Sequence, residues 1–322
     1  PYPTFSHLES NTQIAPRGLT AWSWGRLGDL LANRLQVPIL FYNVAWEGTL
    51  VRTWRESITG RAQSPYASNL YYDPAGMPYG NLKSVLQYYV PITGLRGVLW
   101  IQGEGDNQFN TSTDSYANDL KTVIETCRNE TGLSNLAWSV SLTSYTNKHQ
   151  TDSQIIAGQT RVITSVPNVF QGPNTDLIQI PRTDGKEPDG SDGVHLRYEG
   201  LTQLAENWNT QLGDQFFNQT EPYIGLAPLT VTASCAGNNS LNLAVNATGL
   251  SSLSWNNGAN ASTIQVGNGT YQVSARDSKG RYIYSPSIQI NDAITPSQPQ
   301  ISLQGSNPVC LGNTATLIAN NA

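Results

Sequence analysis

Residues Leu95–Asp106 read LRGVLWIQGEGD. The apolar run Val98-Leu99-Trp100-Ile101 stops abruptly at Gln102-Gly103-Glu104-Gly105-Asp106. That is the pattern of a buried parallel strand delivering polar groups at its carboxyl end, where open α/β sheets place their sites.

Outward from this strand, the chain alternates between helical and strand periodicity. Upstream, Leu27, Leu31 and Leu35 recur at helical spacing from Trp24, and Pro38 closes that helix. Ile39–Trp46 reads as a strand entering the turn Glu47-Gly48-Thr49, and a second helix is expected around Leu82–Tyr89. Downstream, Tyr116, Leu120, Val123, Ile124 and Cys127 mark an amphipathic helix capped by Ser112 or Thr113. A strand at Leu136–Leu142, a helix near Ile155–Ser165 and a short strand at Val169-Phe170 follow. Leu201, Leu204, Ala205, Trp208 and Leu212 then describe a last helix. Such alternation predicts an α/β domain with a doubly wound parallel sheet over residues 1–222. Beyond Pro222 the period becomes 2, at Leu241, Leu243, Val245, Ile264, Val266, Tyr271, Val273, Ala275, Ile288 and Ile290. With turn signals such as Asn256-Asn257-Gly258, this predicts an all-β sandwich over 223–294. A Pro-containing linker from Thr295 leads to Cys310-Leu-Gly-Asn, which echoes Cys235-Ala-Gly-Asn, so 295–322 reads as the start of a second repeat.

Composition narrows the function classes. The chain has 322 residues, of which 38% are hydrophobic and 13% charged, enough for packed cores and unlike a disordered chain. A net charge of −5 without a basic cluster offers no footprint for nucleic acid. No stretch approaches the about 18 consecutive apolar residues of a membrane span. Cys127, Cys235 and Cys310 are far apart with no CxxC pair, so neither a zinc site nor a redox motif is expected. A surface polar in Asn, Ser, Thr and Gln suits an exported or cell-surface protein. Residues 1–20, with Pro1, Pro3, Pro16 and Gly18, read as a loop or arm.

Of three histidines, His7 lies in that arm and His149 in a polar turn, leaving His195 in Asp192-Gly193-Val194-His195 just before the last helix. An Asp three residues before a His lets the carboxylate hold one ring nitrogen while the other faces a cleft, as in serine-hydrolase triads. On spacing alone, a packing role for His195 and a turn role for Asp192 fit at least as well. Gly48, at a strand end, can expose a backbone N–H, and Gln102 can offer its side-chain amide, the two donors an oxyanion hole needs. An ordinary tight turn and a satisfied buried amide fit those two residues equally.

Three ordered blocks over roughly residues 15–215 carry a family resemblance: AWEGTLVRTW at Ala45–Trp54, WIQGEGD at Trp100–Asp106 and DGVHLRYEG at Asp192–Gly200. Together they resemble the SGNH hydrolase superfamily, in its carbohydrate acetylesterase (sialate O-acetylesterase-like) branch, with its GGT-x-x-x-x-W, W-x-Q-G-E-x-D/N and D-x-x-H blocks. The resemblance implies a flavodoxin-like three-layer domain and a secreted bacterial serine esterase acting on an acetylated polysaccharide or glycan, with no metal or cofactor. It assigns His195 as general base, Asp192 as its orienting partner, and Gly48 with Gln102 as oxyanion donors. Glu104, Asp106 and Trp100 are candidates for shaping the site, and Trp46, Trp54 and Trp100 for stacking on sugar rings or for the core. SWNNGANASTIQV and GTYQVSARDSKG, within Leu253–Arg281, resemble the immunoglobulin-like repeats of large secreted and surface proteins of gliding-type bacteria. Those repeats often place a cysteine where Arg281 stands, so Cys235 is expected as a free, buried thiol.

The family's first block, a strand followed by Gly-x-Ser, is not found. Ser6 and Ser10 lack a preceding strand, and Ser23 in Ala21-Trp22-Ser23-Trp24-Gly25 opens a helix. In the family's sheet order 2-1-3-4-5 that strand is central, and its absence would leave a gap between the Ile39 and Val98 strands. The expectation is therefore that the sequence begins downstream of the domain start, with strand and serine supplied by an upstream segment or a neighbouring chain. A catalytically inactive surface or filament protein, using the domain for glycan binding or structure, is the alternative. A GDSL-type lipase is a weaker one, since no apolar lid is evident.

Overall fold

The structure, a computed structural model, describes residues 21–179, 182, 192–237, 240–291, 300–304 and 314–320. The expectations placed on the N-terminal arm, on Ser6, His7 and Ser10, on the linker from Thr295 to Pro299 and on Cys310 lie outside the described residues. The chain divides into two compact units whose main boundary lies between Leu226 and Ala227.

In the first unit, α1 (Trp24–Leu35) buries Leu27 and Leu31 and ends at Gln36, whose left-handed conformation (φ 55°) returns its N–H to the Ala32 carbonyl two residues before Pro38. A short α2 (Val51–Ser57) follows the Gly48 turn. The expected second helix is α3 (Tyr79–Ser84), which passes through a π turn (Val85–Tyr89) into α4 (Val90–Thr93). Strand β1 (Gly97–Trp100) runs into α5 (Glu104–Gln108). Next come α6 (Thr113–Thr131), β2 (Ala137–Leu142), α7 (Ser153–Ser165), β3 (Val169–Asn174), α8 (Tyr198–Gln211) and α9 (Asp214–Gln219). Ser112 caps α6 by accepting from the Ser115 N–H, and Asp152 caps α7 by accepting from the Gln154 N–H.

Strands β1, β2 and β3 form a parallel sheet in that order, with Gly97 opposite Ala137 and Trp138 opposite Val169. Alternation along the strands sends Val98, Trp100, Trp138, Val140 and Val169 into a core with α2, α3, α6 and α7. It sends Leu99, Ile101, Ala137 and Phe170 into a second core with α1 and α8. The result is three layers, helices on both faces of a parallel sheet.

Ile39–Trp46 departs from expectation: it belongs to no strand. The physical reason is pairing. β1 is the edge of its sheet, paired only with β2, so among the described residues no strand lies beside β1 for Ile39–Trp46 to join.

The second unit is antiparallel. Its strands are β4 (Val231–Gly237), β5 (Ser240–Val245), β6 (Ser251–Trp255), β7 (Thr263–Val266), β8 (Gly269–Tyr271), β9 (Val273–Arg276), β10 (Tyr282–Tyr284), β11 (Ile288–Ile290), β12 (Gln300–Gln304) and β13 (Thr316–Asn320). They pair as β4-β5-β7, β10-β9-β6, β11-β8 and β12-β13. Leu243, Val245, Trp255, Ile264, Val266, Val273 and Ala275 fill its core. Cys235 is a free thiol, but exposed where a buried one was expected: it sits on β4, which among the described residues pairs only with β5 and turns most of its side chains to solvent. Cys127 is buried in α6. Among the described residues no helix is long and apolar enough to cross a membrane.

Candidate active site

The carboxyl ends of the parallel strands bring the polar segments to one edge of the sheet. Gln102 follows β1, Thr143 and Ser144 follow β2, and Thr175 and Asp176 follow β3. Asp176 binds this edge together, accepting from the Ser144 and Tyr145 N–H groups and, at 2.6 Å, from the Ser144 hydroxyl.

The turn Asp192–His195 is closed largely by its own hydrogen bonds, with one from outside, the Asn147 side-chain amide donating to the Asp192 carbonyl at 3.2 Å. Gly193 takes φ +73°, a conformation that favours glycine. Asp192 Oδ1 accepts from the Val194 and His195 N–H groups at 2.9 and 2.8 Å, and its Oδ2 lies 2.5 Å from His195 Nδ1. Partial burial would raise the Asp192 carboxyl, but the His195 ring and the two backbone donors bring it down to about 2. With Nδ1–H donated to the carboxylate, Nε2 carries the lone pair, on a side chain that is 72% exposed. That is the arrangement of a general base with its orienting partner.

Gly48 takes φ +64°, so a side chain there would be strained. Its N–H makes no hydrogen bond among the described residues, while its carbonyl accepts from the Tyr72 hydroxyl. One residue on, Thr49 Oγ1 accepts from the Trp54 indole N–H at 3.0 Å and donates to the Trp46 carbonyl. The first turn of α2 makes that reach, which explains the five-residue Thr-to-Trp spacing of the block.

Gln102 is held more tightly than the oxyanion role requires. Its Nε2 donates to the Thr49 carbonyl at 3.2 Å and to Asp106 Oδ2, and its Oε1 accepts from the Tyr116 hydroxyl. Asp106, fully buried, also accepts from the Val51 N–H at the start of α2. Burial pushes the Asp106 carboxyl up, and the donors from Gln102 and Val51 partly offset it. This carboxylate thereby ties the GTLVRTW block to the WIQGEGD block. Gly103 is required by close approach, since a Cβ there would lie 1.8 Å from the Thr143 carbonyl oxygen. Glu104 sits within electrostatic reach of Arg182 and His195, and desolvation raises its pKa.

The structure thus joins Thr49, Gln102 and Asp106 by direct bonds, and Asp192 to His195 by another. Among the described residues no bond joins the two groups and no serine hydroxyl is bonded to the His195 ring. Ser23 is 1% exposed at the start of α1, and its hydroxyl has no partner among the described residues. Trp54 and Trp100 are core residues, packed edge to face with ring centroids 5.2 Å apart, so neither can stack on a ligand. Trp46 is partly buried against the Tyr72 ring.

Sequence reasoning missed Tyr116 and Gln159. Both are fully buried, and Gln159 Nε2 donates to the Gln102 and Thr143 carbonyls at 3.1 and 2.8 Å. A glutamine on the apolar face of α7 was the available signal. Arg182, its guanidinium 5.1 Å from the Tyr145 ring centroid, was missed as well, and nothing in its local sequence marks it. A shallow surface groove of about 760 Å³ along α7, lined by Asp152, Ile156, Arg161, Asp176 and Leu177 among others, contains none of the expected site residues.

Comparison with known proteins follows the same blocks. A family model described as carbohydrate esterase, sialic acid-specific acetylesterase, matches residues 29–212, which include Gly48, Gln102, Asp106, Asp192 and His195. No curated protein matches the chain. Among solved structures, a carbohydrate acetylesterase from Xanthomonas citri aligns over 86% of this chain and 66% of its own, at 15% identity and a TM-score of 0.43. The chain therefore spans slightly less than two thirds of that protein's length. With more than half of its residues matched, among them every block of the site, this chain belongs to the family of carbohydrate esterases described as sialic acid-specific acetylesterases.

Proposed function

We propose that the first unit is a serine esterase that removes acetyl or another small acyl group from carbohydrate. The observation that carries this reading is the 2.5 Å contact between Asp192 Oδ2 and His195 Nδ1, on an imidazole left open to solvent. In the proposed reaction a serine hydroxyl attacks the ester carbonyl while His195 Nε2 takes its proton. Asp192 stabilises the imidazolium that forms. The tetrahedral oxyanion develops beside the Gly48 N–H, which makes no hydrogen bond among the described residues and is a donor worth about 10²–10³ in rate at such positions. Gln102 would be the second donor, exchanging one of its internal bonds. As the tetrahedral intermediate collapses and the ester C–O bond breaks, the His195 imidazolium gives its proton to the leaving sugar oxygen, and water, activated by the same imidazole, then releases acetate from the acyl-enzyme. The serine is proposed to lie outside these 322 residues, on a strand beside the open edge of β1. The second unit is read as an immunoglobulin-like spacer and the protein as exported.

The engagement of both Gln102 amide hydrogens favours a second reading, an inactive module that binds glycans or serves structure. Fluorophosphonate labelling of protein from its native source, with the adduct mapped by peptide mass and acetate release followed, separates the two. A serine adduct and acetate release, both lost in His195→Ala, are expected. A folded protein with neither would overturn the esterase reading.

A further inference from the structure

Four large apolar side chains lie exposed on two neighbouring segments of the first unit: Tyr66, Leu70 and Tyr71 on one, Phe109 on the other. The first segment is an ordered excursion. Ala62 accepts from the Tyr72 N–H at 3.0 Å, Leu70 accepts from the Ser64 N–H at 2.8 Å, and Gln63 pairs with Tyr71. Its tip is fixed by the Tyr66 N–H donating to Ser64 Oγ. Phe109 closes α5, at the end of the WIQGEGD block, where its N–H is held by the Gly105 carbonyl at 3.0 Å. Large apolar groups held this firmly in solvent mark a surface that receives something.

Tyr66 and Phe109 meet, with ring centroids 5.2 Å apart and planes at 82°, forming a right-angled aromatic corner. They remain 51% and 39% exposed. The corner stands on two glycines of the site. The Tyr66 ring lies 3.5 Å from where a Gly48 Cβ would be, and its hydroxyl 3.8 Å from where a Gly105 Cβ would be. Both distances are van der Waals contact, so the Tyr66 ring packs directly over the backbone of the Gly48 turn and of α5. Burial raises the Tyr66 hydroxyl pKa, as do Asp106 and Glu104. The phenol is therefore neutral, and its ring offers an uncharged π face.

A π face carries partial negative charge and attracts the polarised C–H groups that line one side of a pyranose. Amphipathic rings of this kind, apolar on one face and hydroxylated at the edge, match the occupant a carbohydrate esterase must hold. We infer that Tyr66 and Phe109 are the sugar-stacking subsite of the site, receiving the C–H face of the pyranose that carries the acyl group and presenting its ester to Gly48. This rests on the esterase reading for the choice of an acylated sugar. The side chains proposed from sequence for stacking were tryptophans, of which two are core. The structure replaces them with residues from two segments that only the fold brings together.

The test uses the full chain in a His195→Ala background, so that esters persist, and calorimetric titration with partly O-acetylated xylo-oligosaccharide and with O-acetylated N-acetylneuraminic acid. Tyr66→Ala and Phe109→Ala should each weaken the dissociation constant about tenfold for whichever sugar binds, as loss of one stacking face predicts. Tyr66→Phe and Phe109→Tyr should stay within about twofold, because the ring is kept. Tyr66→Leu and Phe109→Leu, which keep bulk without a ring, should behave like the alanine variants and carry the test if those fail to fold. Unchanged affinity in the alanine and leucine variants, or no binding of either sugar, would overturn the subsite. Acetate release by the His195 enzyme is measured in parallel. Release with an unaltered KM in Tyr66→Ala would refute the subsite while the esterase stands. Ring-dependent binding without any release would refute the esterase while the subsite stands.

Discussion

Gln102 and Asp106 are engaged from several sides by the core, whereas Asp192 and His195 engage mainly each other and leave the ring in solvent. The first pair sits in a knot that joins β1, the Gly48 turn, α2 and α6 through Thr49, Val51 and Tyr116. The second closes a four-residue turn whose side-chain hydrogen bonds are local, with the Asn147 amide reaching only the Asp192 backbone carbonyl. Substitution in the knot should therefore register as stability, and substitution in the turn as chemistry. A motif residue is not by that fact a reacting residue.

The contrast is most severely tested by His195→Ala. On the proposed role of His195 as general base, acetate release should fall on the order of 10⁴-fold, with the thermal midpoint almost unmoved because the ring is exposed. Next in size is Gly103→Ala. A Cβ 1.8 Å from the Thr143 carbonyl forces β1 and β2 apart where they deliver the site, at a cost of about 3 kcal/mol or more in urea unfolding. A Gly103→Ala protein as stable as wild type would show that the knot yields. Asp106→Ala leaves the Val51 N–H and the Gln102 amide without their buried acceptor and should cost about 2–3 kcal/mol, while Asp192→Ala costs under about 1 kcal/mol by the same measurement. Equal costs would remove the distinction between knot and turn.

The smallest effect is a pair of opposite pH signatures. The Asp192 carboxyl is depressed to about 2, below the about 4 of an unfolded chain, so its contribution is present above about pH 4 and fades as pH falls toward 2. Asp106 is raised by burial, so its contribution is full below its unfolded pKa and is lost as pH rises through the folded one. Relative to wild type, urea midpoints across pH 2–7 should thus fall progressively toward neutrality for Asp192→Asn and rise progressively toward neutrality for Asp106→Asn.

Much of the first unit was legible because its signals are local. The Leu27/Leu31 spacing, the Ser112 cap and the Tyr116-to-Cys127 stripe each describe a helix whose buried face is set by its own period. Ile39–Trp46 was misread for the complementary reason: a strand exists only with a partner, and apolar content cannot supply one. The turn with Gly48 was recognised but α2 behind it was not, since a seven-residue helix held by Asp106 and by Thr53 Oγ1, which accepts from the Leu50 N–H, carries little periodicity. Cys235 was placed inside because free cysteines usually are, yet an edge strand turned it out.

By itself the sequence determined the alternation of helix and strand, the switch to period 2 beyond Pro222, and the spacing by which Asp192 reaches His195, since three residues and one glycine suffice to close that turn. Tertiary structure alone decided that Gln102 spends its amide on Thr49 and Asp106, that Trp54 and Trp100 are core, and that Tyr66 and Phe109 form a corner over Gly48 and Gly105. The physical reason is range. A turn or a helix face is satisfied by neighbours within a few residues, whereas whether a polar group is consumed or offered, and whether an aromatic ring is buried or presented, depends on what segments dozens of residues away bring against it.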